Sequence, residues 1–429
     1  MTAIDTENTL RARSLPVPLP PGEDWIAPAY QDLSIANLPS TIASLFGVEL
    51  PDALPTLPQH LLQGWRAGLY RVVLIILDGL GYRLLGRRWA DGDGQALSDL
   101  ASAGTLFPLT SVFPSTTDAA LMSLQTGVAP GTHGWLAWEM YLREVGMAAN
   151  GVLLCPIWSR HRDLLLDWGL TPETLVSTPT LASRLSAAGI ETAALASRQF
   201  EGSGFSRMLY RGMGQMWGHF HASDFWVQLR EILHETAGQR AFVSAYWSGV
   251  DTIGHGYGPG SAQSQAEFRA VGHFLGQEFL GRLSAAEREG TLLLITADHG
   301  QVHVPANQIV TADEDPELSR HLMVPVVGES RAAFIHPRAG RAEAVRSYLT
   351  GAFPDRFQVV GSAEALDSGL MGRPVSDETY SRAGDLLVLA RGENALQRTR
   401  SRGPLVGRHG GLSADEMLVP LIAARLEAL

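Results

Sequence analysis

Arg71-Val72-Val73-Leu74-Ile75-Ile76-Leu77-Asp78-Gly79 carries an unbroken apolar run that stops at an Asp-Gly pair. The run is short and rich in β-branched residues, so it reads as a central strand buried on both faces. Two later segments repeat the pattern. Ala241–Trp247 leads into Asp251-Thr252-Ile253-Gly254-His255, and Thr291–Thr296 ends in Ala297-Asp298-His299-Gly300. Helical patterns lie between the strands. Leu181, Leu185 and Ala188 mark one, stopped by Gly189 and followed by a strand at 192–196, and residues 264–283 mark another. This alternation predicts an α/β fold, a mostly parallel sheet with helices on both faces. In open α/β sheets functional groups gather at the carboxyl ends of strands, where Asp78 and Asp298 stand. A lone strand-end Asp is ordinarily a turn former, so the recurrence is what matters.

Composition bounds the function. A chain of 429 residues suits roughly two to three domain-sized units or one large α/β domain with insertions. Hydrophobic residues make up 45% and charged residues 18%, enough for a sizeable core and against global disorder. The net charge of -11 argues against a nucleic-acid polymer as partner, because phosphate backbones are held by clustered Lys and Arg. A small phosphorylated substrate is compatible with it, since bound cations reverse the local field. Cys155 is the single cysteine, so neither an intrachain disulfide nor a cysteine-built zinc site is expected. Residues 1–19 carry no apolar h-region, and no stretch of about 18 apolar residues occurs anywhere. No membrane span is expected, and the expected compartment is cytoplasmic.

Residues 1–60, with Pro16, Pro18, Pro20, Pro21, Pro28, Pro39, Pro51, Pro55 and Pro58, read as an extended arm or chain of turns with a short helix at 41–46. Residues 61–429 read as one catalytic domain. Residues 197–218, rich in Gly and Arg, read as loop. His219 and His221 flank Phe220 with no carboxylate nearby and read as surface or packing residues. Strand patterns at 332–335, 357–360 and 385–390 and a helix pattern at 342–349 predict a smaller α+β lobe at about 305–400. Residues 418–423 close the chain as a strand or buried helix.

Phe113-Pro114-Ser115-Thr116-Thr117-Asp118 precedes Ala119, Ala120, Leu121 and Leu124, which have helical spacing, and Gly127 is a plausible stop. Pro114 suits a helix entry, and the hydroxyls of Ser115, Thr116 and Thr117 suit capping of its free amides. Alone, this is a capped helix. A helix N-terminus also favours an anion, so a Thr oxygen there ionises more easily and a phosphate docks beside it. His133, in Gly131-Thr132-His133-Gly134-Trp135, reads as structural. Trp135, Trp138 and Tyr141 read as core aromatics or a pocket wall.

Asp78, Asp251 with His255, Asp298 with His299, and His409 from a glycine-rich turn make three carboxylates and three imidazoles without sulfur. Such N/O ligands suit Zn²⁺, with Mn²⁺ or Fe²⁺ also compatible. With one Thr oxygen they suffice for two metals about 4 Å apart, the arrangement used in phosphoryl transfer.

Leu77-Asp78-Gly79, Phe113-Pro114-x-x-Thr117, Thr126-Gly127-x-x-Pro130-x-x-His133-Gly134, Asp251-x-x-Gly254-His255, Ala297-Asp298-His299-Gly300 and His409-Gly410-Gly411 span residues 77–411. In content and order they resemble the alkaline phosphatase superfamily, most closely its type I phosphodiesterase/nucleotide pyrophosphatase branch. The resemblance implies an alkaline-phosphatase-like α/β/α sandwich and two divalent metal ions, Zn²⁺ or Mn²⁺. Asp251, His255 and His409 would hold one, and Asp78, Asp298 and His299 the other together with the Thr117 oxygen. Thr117 is preferred over Thr116 because it lies nine residues before Thr126, as the family's nucleophile does. A phospho-threonine intermediate is implied, since a Thr hydroxyl near a cation becomes a usable nucleophile.

The chain also departs from the pattern. Nucleotide-preferring members carry an aromatic directly after the nucleophile, where this chain has Asp118. They carry an Asn after the His-Gly, where the aligned residue here is Trp138. Tyr246, five residues before Asp251, matches the family's other base-stacking aromatic. Asp118 would repel a doubly charged monoester more than a singly charged diester, or bind a cationic head group. The expected activity is therefore a two-metal hydrolase of small phosphodiesters or pyrophosphates. The rivals are a phosphate monoesterase or phosphonate hydrolase of the same superfamily, and a catalytically silent metal- or ligand-binding relative. Sulfatase chemistry is disfavoured, because the modified Cys or Ser motif is absent.

Overall fold

In the computed structural model, which describes residues 2–19, 23–400, 403 and 405–429, Arg71–Leu77 (β1) is buried at every position. Thr105–Thr110 (β2), Glu191–Ser197 (β3), Gln215–His219 (β4), Ala241–Trp247 (β5) and Thr291–Thr296 (β6) join it in a central sheet. Val327–Glu329 (β7), Ala332–Ile335 (β8), Phe357–Gly361 (β9) and Leu386–Ala390 (β10) form a second sheet, and Leu418–Arg425 (β11) returns to the first. The central order is β2-β11-β6-β1-β5-β3-β4. β11 is antiparallel to β2 and β6, while the other pairings are parallel. The result is the expected α/β/α sandwich with a mostly parallel sheet. β1 lies between β5 and β6, as its two-sided apolar character requires.

The smaller lobe has strand order β7-β8-β10-β9, antiparallel throughout, with Ala342–Ala352 as its helix. Val310, Ile335, Val345, Leu349, Val359 and Val388 belong to a core of its own. A buried ion pair ties the lobe to the main body. Arg331 donates to both oxygens of Glu416, at 3.1 and 3.0 Å.

The proline-rich start contains more structure than its composition predicts. Ala3–Arg11 (α1) is a helix with a Thr2 capping box, and the short helix read at 41–46 runs over Leu38–Leu45 (α2). Between the prolines, Ile26, Leu33, Ile35, Leu38 and Ile42 join the main core. Thr110 donates its amide to the Leu33 carbonyl at 2.7 Å, and Phe113 donates its amide to the Tyr30 hydroxyl at 3.0 Å. The segment thus supports the turn that precedes Thr117.

Residues 197–218, read as loop, instead hold the helix Gly204–Leu209 and part of β4. β4 is an edge strand with exposed Gln215 and Met216 and two glycines nearby, so it lacks the alternation that marks a strand. Among the described residues no helix is long and apolar enough to cross a membrane.

Candidate active site

β6, β1 and β5 are neighbours in the sheet, so the residues that follow them meet. Asp78 follows β1 directly, and Asp298 lies just beyond β6. The helix Gly249–Tyr257 begins shortly after β5 and carries Asp251 and His255 one turn apart, on one face. Gly79 makes the turn after Asp78 at φ +75°, and a Cβ there would meet Asp251 Cα at 2.9 Å. Only glycine lets the turn after β1 approach this helix so closely. His409 arrives from the far end of the chain, after Gly407–Arg408, which pairs with Val302–His303.

All six side chains close into one cluster. His255 Nε2 lies 3.2 Å from Asp251 Oδ2 and 3.3 Å from His409 Nε2. His299 Nε2 lies 3.5 Å from Asp78 Oδ1 and 3.6 Å from Asp298 Oδ2. The His299 and His409 rings stack with centroids 3.8 Å apart. Two groups have the compactness of a metal site: Asp251 with His255 and His409, and Asp78 with Asp251 and His299. Asp251 is common to both, where the resemblance assigned it to one, and Asp298, which the resemblance assigned to the second, is in neither group.

Each imidazole is oriented by a backbone carbonyl. Nδ1 of His255 meets Gly407 O at 2.7 Å, that of His299 meets Gly300 O at 3.0 Å, and that of His409 meets Ser115 O at 3.2 Å. A carbonyl only accepts, so Nδ1 carries the proton and a neutral ring turns its Nε2 lone pair into the cluster. Thr117 Oγ1 lies 3.0 Å from His299 Nε2 and donates to it.

The donor set fits a divalent cation. Asp78 Oδ1 and Asp298 Oδ2 are buried without a hydrogen-bond partner, although buried polar atoms are ordinarily bonded. The other oxygen of each is engaged. Tyr246 donates its hydroxyl to Asp78 Oδ2, and the Gly79 and His299 amides donate to Asp298 Oδ1 at 3.1 and 3.0 Å. Burial, with the charges of Asp251 and Asp298, holds the Asp78 carboxyl well above its ordinary range. Burial and the charge of Asp251 push Asp298 up to about 6. Burial pushes His299 down to about 4, and burial with the His299 charge pushes His409 down to about 3. Against the effect of burial, the charge and hydrogen bond of Asp251 hold His255 above its ordinary value. Crowded carboxylates beside the neutral His299 and His409 rings are what a divalent cation satisfies.

Thr117–Thr126 is the expected helix, ended by Gly127 at φ +76°. The expected hydroxyl capping does not occur. Ser115 donates to the Gly411 carbonyl at 2.7 Å, Thr116 to Glu329 Oε1 at 2.8 Å, and Thr117 to His299. Each hydroxyl is turned towards a partner elsewhere in the fold, and Thr116, the residue before the helix, makes no side-chain cap bond.

Asp118, Trp138 and Tyr246 line one cavity of about 570 Å³ together with Thr117 and Asp251. Asp118 is 1% exposed, and Trp138, at 46%, stands open to solvent. Tyr246 is buried with its hydroxyl tied to Asp78, so it supports the cluster as well as walling the cavity. His219 is buried against Phe225 and Trp247, away from the cluster's ligands. His133 bonds to Ser123 at 3.0 Å and to the Trp135 amide at 3.0 Å, within the fold.

Two residues escaped the sequence reading. Gln301 donates Nε2 to the Asp251 carbonyl, at 3.1 Å, and to Asp251 Oδ1. Its place directly after Ala297-Asp298-His299-Gly300 was the available signal. Glu329, at the end of β7, accepts from Thr116 and, at 2.9 Å, from the Trp138 amide. It is 213 positions from Thr116 and carries no motif.

Comparison with known proteins bears on this geometry. The family described as type I phosphodiesterase / nucleotide pyrophosphatase matches residues 72–412. No match is found among curated proteins. Among solved structures, murine ectonucleotide pyrophosphatase / phosphodiesterase 5 is similar with TM-score 0.63 and 18% identity, over 82% of this chain and 87% of that one. The human counterpart aligns with the same values. Phosphonoacetate hydrolase from Sinorhizobium meliloti, in complex with phosphonoformate, is similar with TM-score 0.60 and 18% identity, over 82% of this chain and 89% of that one. At these identities the structural likeness establishes the fold.

Proposed function

Because this chain belongs to the type I phosphodiesterase/nucleotide pyrophosphatase family, we propose that it hydrolyses phosphodiester or pyrophosphate bonds of small molecules, with Thr117 as nucleophile and two divalent cations, Zn²⁺ or Mn²⁺, as cofactors. The observation that carries this reading is Thr117 Oγ1 at a helix start, 3.0 Å from His299 Nε2, in a cluster with unpartnered oxygens on Asp78 and Asp298. Asp251, His255 and His409 would hold one cation and Asp78, Asp298 and His299 the other, with Asp251 between them. Cations bound there lower the pKa of an oxygen nucleophile and offset charge on the phosphoryl group and leaving oxygen.

Thr117 makes and breaks the covalent bond. Its hydroxyl gives its proton to solvent and its oxygen attacks phosphorus, one arm of the substrate departs with the bonding pair and takes up a proton, and phospho-Thr117 remains. Water then attacks the same phosphorus, and the Thr117 oxygen leaves and is reprotonated. The uncapped amides of the Thr117–Thr126 helix offer donors to the non-bridging oxygens. That role matters here because Trp138 stands where the family's Asn would donate. A cavity of about 570 Å³ suits a small substrate. The murine neighbour, in an inactive form, was solved in complex with AMP, which agrees with a small phosphorylated ligand in this fold.

The test compares bis-p-nitrophenyl phosphate with p-nitrophenyl phosphate on protein stripped of metal and reloaded with Zn²⁺ or Mn²⁺. A metal-dependent preference for the diester is expected. Preference for the monoester, or for a phosphonate, would replace the diesterase reading with its superfamily rival. Thr117→Ala is expected to lose turnover on the order of 10³-fold or more while retaining metal. Full turnover in that variant would remove Thr117 from the mechanism. Bound metal without turnover of any diester, monoester or phosphonate would favour a silent relative.

A further inference from the structure

Thr116 has the residue type and the place of a helix cap, yet it does not act as one. It stands directly before the Thr117–Thr126 helix with extended backbone, φ -133° and ψ 149°. From that conformation a Thr hydroxyl ordinarily accepts from the second or third helical amide, here Asp118 or Ala119. The Thr116 hydroxyl instead donates to Glu329 Oε1 at 2.8 Å and makes no cap bond. The same oxygen accepts from the Trp138 amide at 2.9 Å, so the acceptor is fixed from a second side. Glu329 belongs to the smaller lobe and reaches this turn past Gly410, where a Cβ would meet Glu329 Cβ at 2.5 Å. The flanking hydroxyls are engaged as well: Ser115 donates to the Gly411 carbonyl, and Thr117 faces His299.

A cap would stabilise the helix, but it would also occupy an amide that the reaction uses. An N–H bonded to a cap hydroxyl is not free to donate to a phosphoryl oxygen, whereas an open N–H at a helix start is aimed at one. We propose that Glu329 is a positioning residue: by holding the Thr116 hydroxyl off the helix, it keeps the first amides beside Thr117 open for the non-bridging oxygens of the phosphoryl group. The role needs an acceptor at Oε1 rather than a charge. It gives the smaller lobe a part in the reaction without contact to the reacting atoms. The inference rests on the reading of Thr117 as the nucleophile.

The experiment measures kcat and KM on Zn²⁺-loaded proteins of equal metal content, with whichever of bis-p-nitrophenyl phosphate and p-nitrophenyl phosphate the unaltered protein cleaves faster. In Glu329→Ala the freed Thr116 hydroxyl turns to the helix, and kcat is expected to fall about 10²-fold, as when one oxyanion donor is lost. KM should stay within about three-fold, because the donors act mainly in the transition state. Glu329→Gln keeps the acceptor and should stay within about five-fold of the unaltered kcat. The decisive protein is the double variant Thr116→Val/Glu329→Ala. It has no hydroxyl left to cap the helix, so its kcat should recover to within about five-fold of the unaltered protein. If Glu329 merely supported the fold, the double variant would be at least as slow as Glu329→Ala. That result would overturn the inference, as would full kcat in Glu329→Ala or a Gln variant as slow as the Ala variant. If Glu329→Ala does not fold, Glu329→Leu, which fills the volume without an acceptor, carries the same expectations alone and with Thr116→Val. Turnover by the unaltered protein without recovery in the double variant removes only the role of Glu329. Turnover of neither ester removes the phosphoryl-transfer reading and this inference with it.

Discussion

Tyr246 and Gln301 each hold one carboxylate of the cluster in a single orientation. Tyr246 engages Asp78 Oδ2, which leaves Oδ1 turned towards His299. Gln301 bridges the carbonyl and Oδ1 of Asp251. Groups that orient a ligand without touching the metal commonly change affinity by about 10–100-fold when removed. Tyr246→Phe and Gln301→Leu are each expected to weaken Zn²⁺ binding by roughly that factor, measured by competition with a chelator. Unchanged affinity would make them packing residues. Tyr246 was legible in the sequence as an aromatic near Asp251, but its partner was not. Its partner follows from register: Tyr246 on β5 lies opposite Ile76 on β1, which brings its hydroxyl to Asp78.

Arg331 and Glu416 join the elements that deliver His409. Glu416 also accepts from the Gly411 amide at 2.8 Å and the Ser413 hydroxyl at 2.6 Å, so it organises the loop after His409. Burial alone would raise the Glu416 carboxyl, but the charge and hydrogen bonds of Arg331, with Ser413 and Gly411, hold it below its ordinary 4.5. A depressed folded-state pKa means that the unfolded chain binds the proton more readily. The stabilisation is then complete above pH 4.5 and is lost as pH falls through the folded value. Glu416→Gln is expected to flatten this acid limb in denaturant titrations at several pH values. Glu416→Leu, which leaves Arg331 buried without a counter-charge, is expected to cost about 3–5 kcal/mol at neutral pH. An acid limb unchanged in the Gln variant would show that the pair does not set it. The elements around this pair differ in how visible they were. β5 and β6 stood out as continuous apolar runs, because strands buried on both faces need no polar residues. β4 did not, because an edge strand half in water has no such pattern.

Across the whole molecule, three neighbouring strands and one distant loop gather three carboxylates and three imidazoles into a buried site. A cation that binds this site in the folded state alone stabilises it by mass action, by about 2.7 kcal/mol at a hundred-fold excess over its Kd. Melting with Zn²⁺ or Mn²⁺ is therefore expected to occur several degrees higher than with a chelator. Identical melting under both conditions would argue against a folded-state metal site. The smaller lobe has its own core, yet it contributes Glu329 to the cavity and Arg331 to the buried pair. The cavity wall is therefore built from both cores.

The sequence by itself determined the sheet-forming segments, because apolar runs of strand length have few other places to go in water. It also determined the candidate ligands, because their spacing from strand ends is a local property of the chain. Asp78, Thr117, Asp251, His255, Asp298, His299 and His409 could all be named from motifs, and the fold brings them together. The tertiary structure alone decided what surrounds them. It turned the Thr116 hydroxyl from helix capping to Glu329, put Asp251 in reach of both ligand groups, and packed the proline-rich start beneath the turn before Thr117. These outcomes depend on contacts between segments far apart in the chain, whose partners are chosen by register and burial, and no local spacing records that choice.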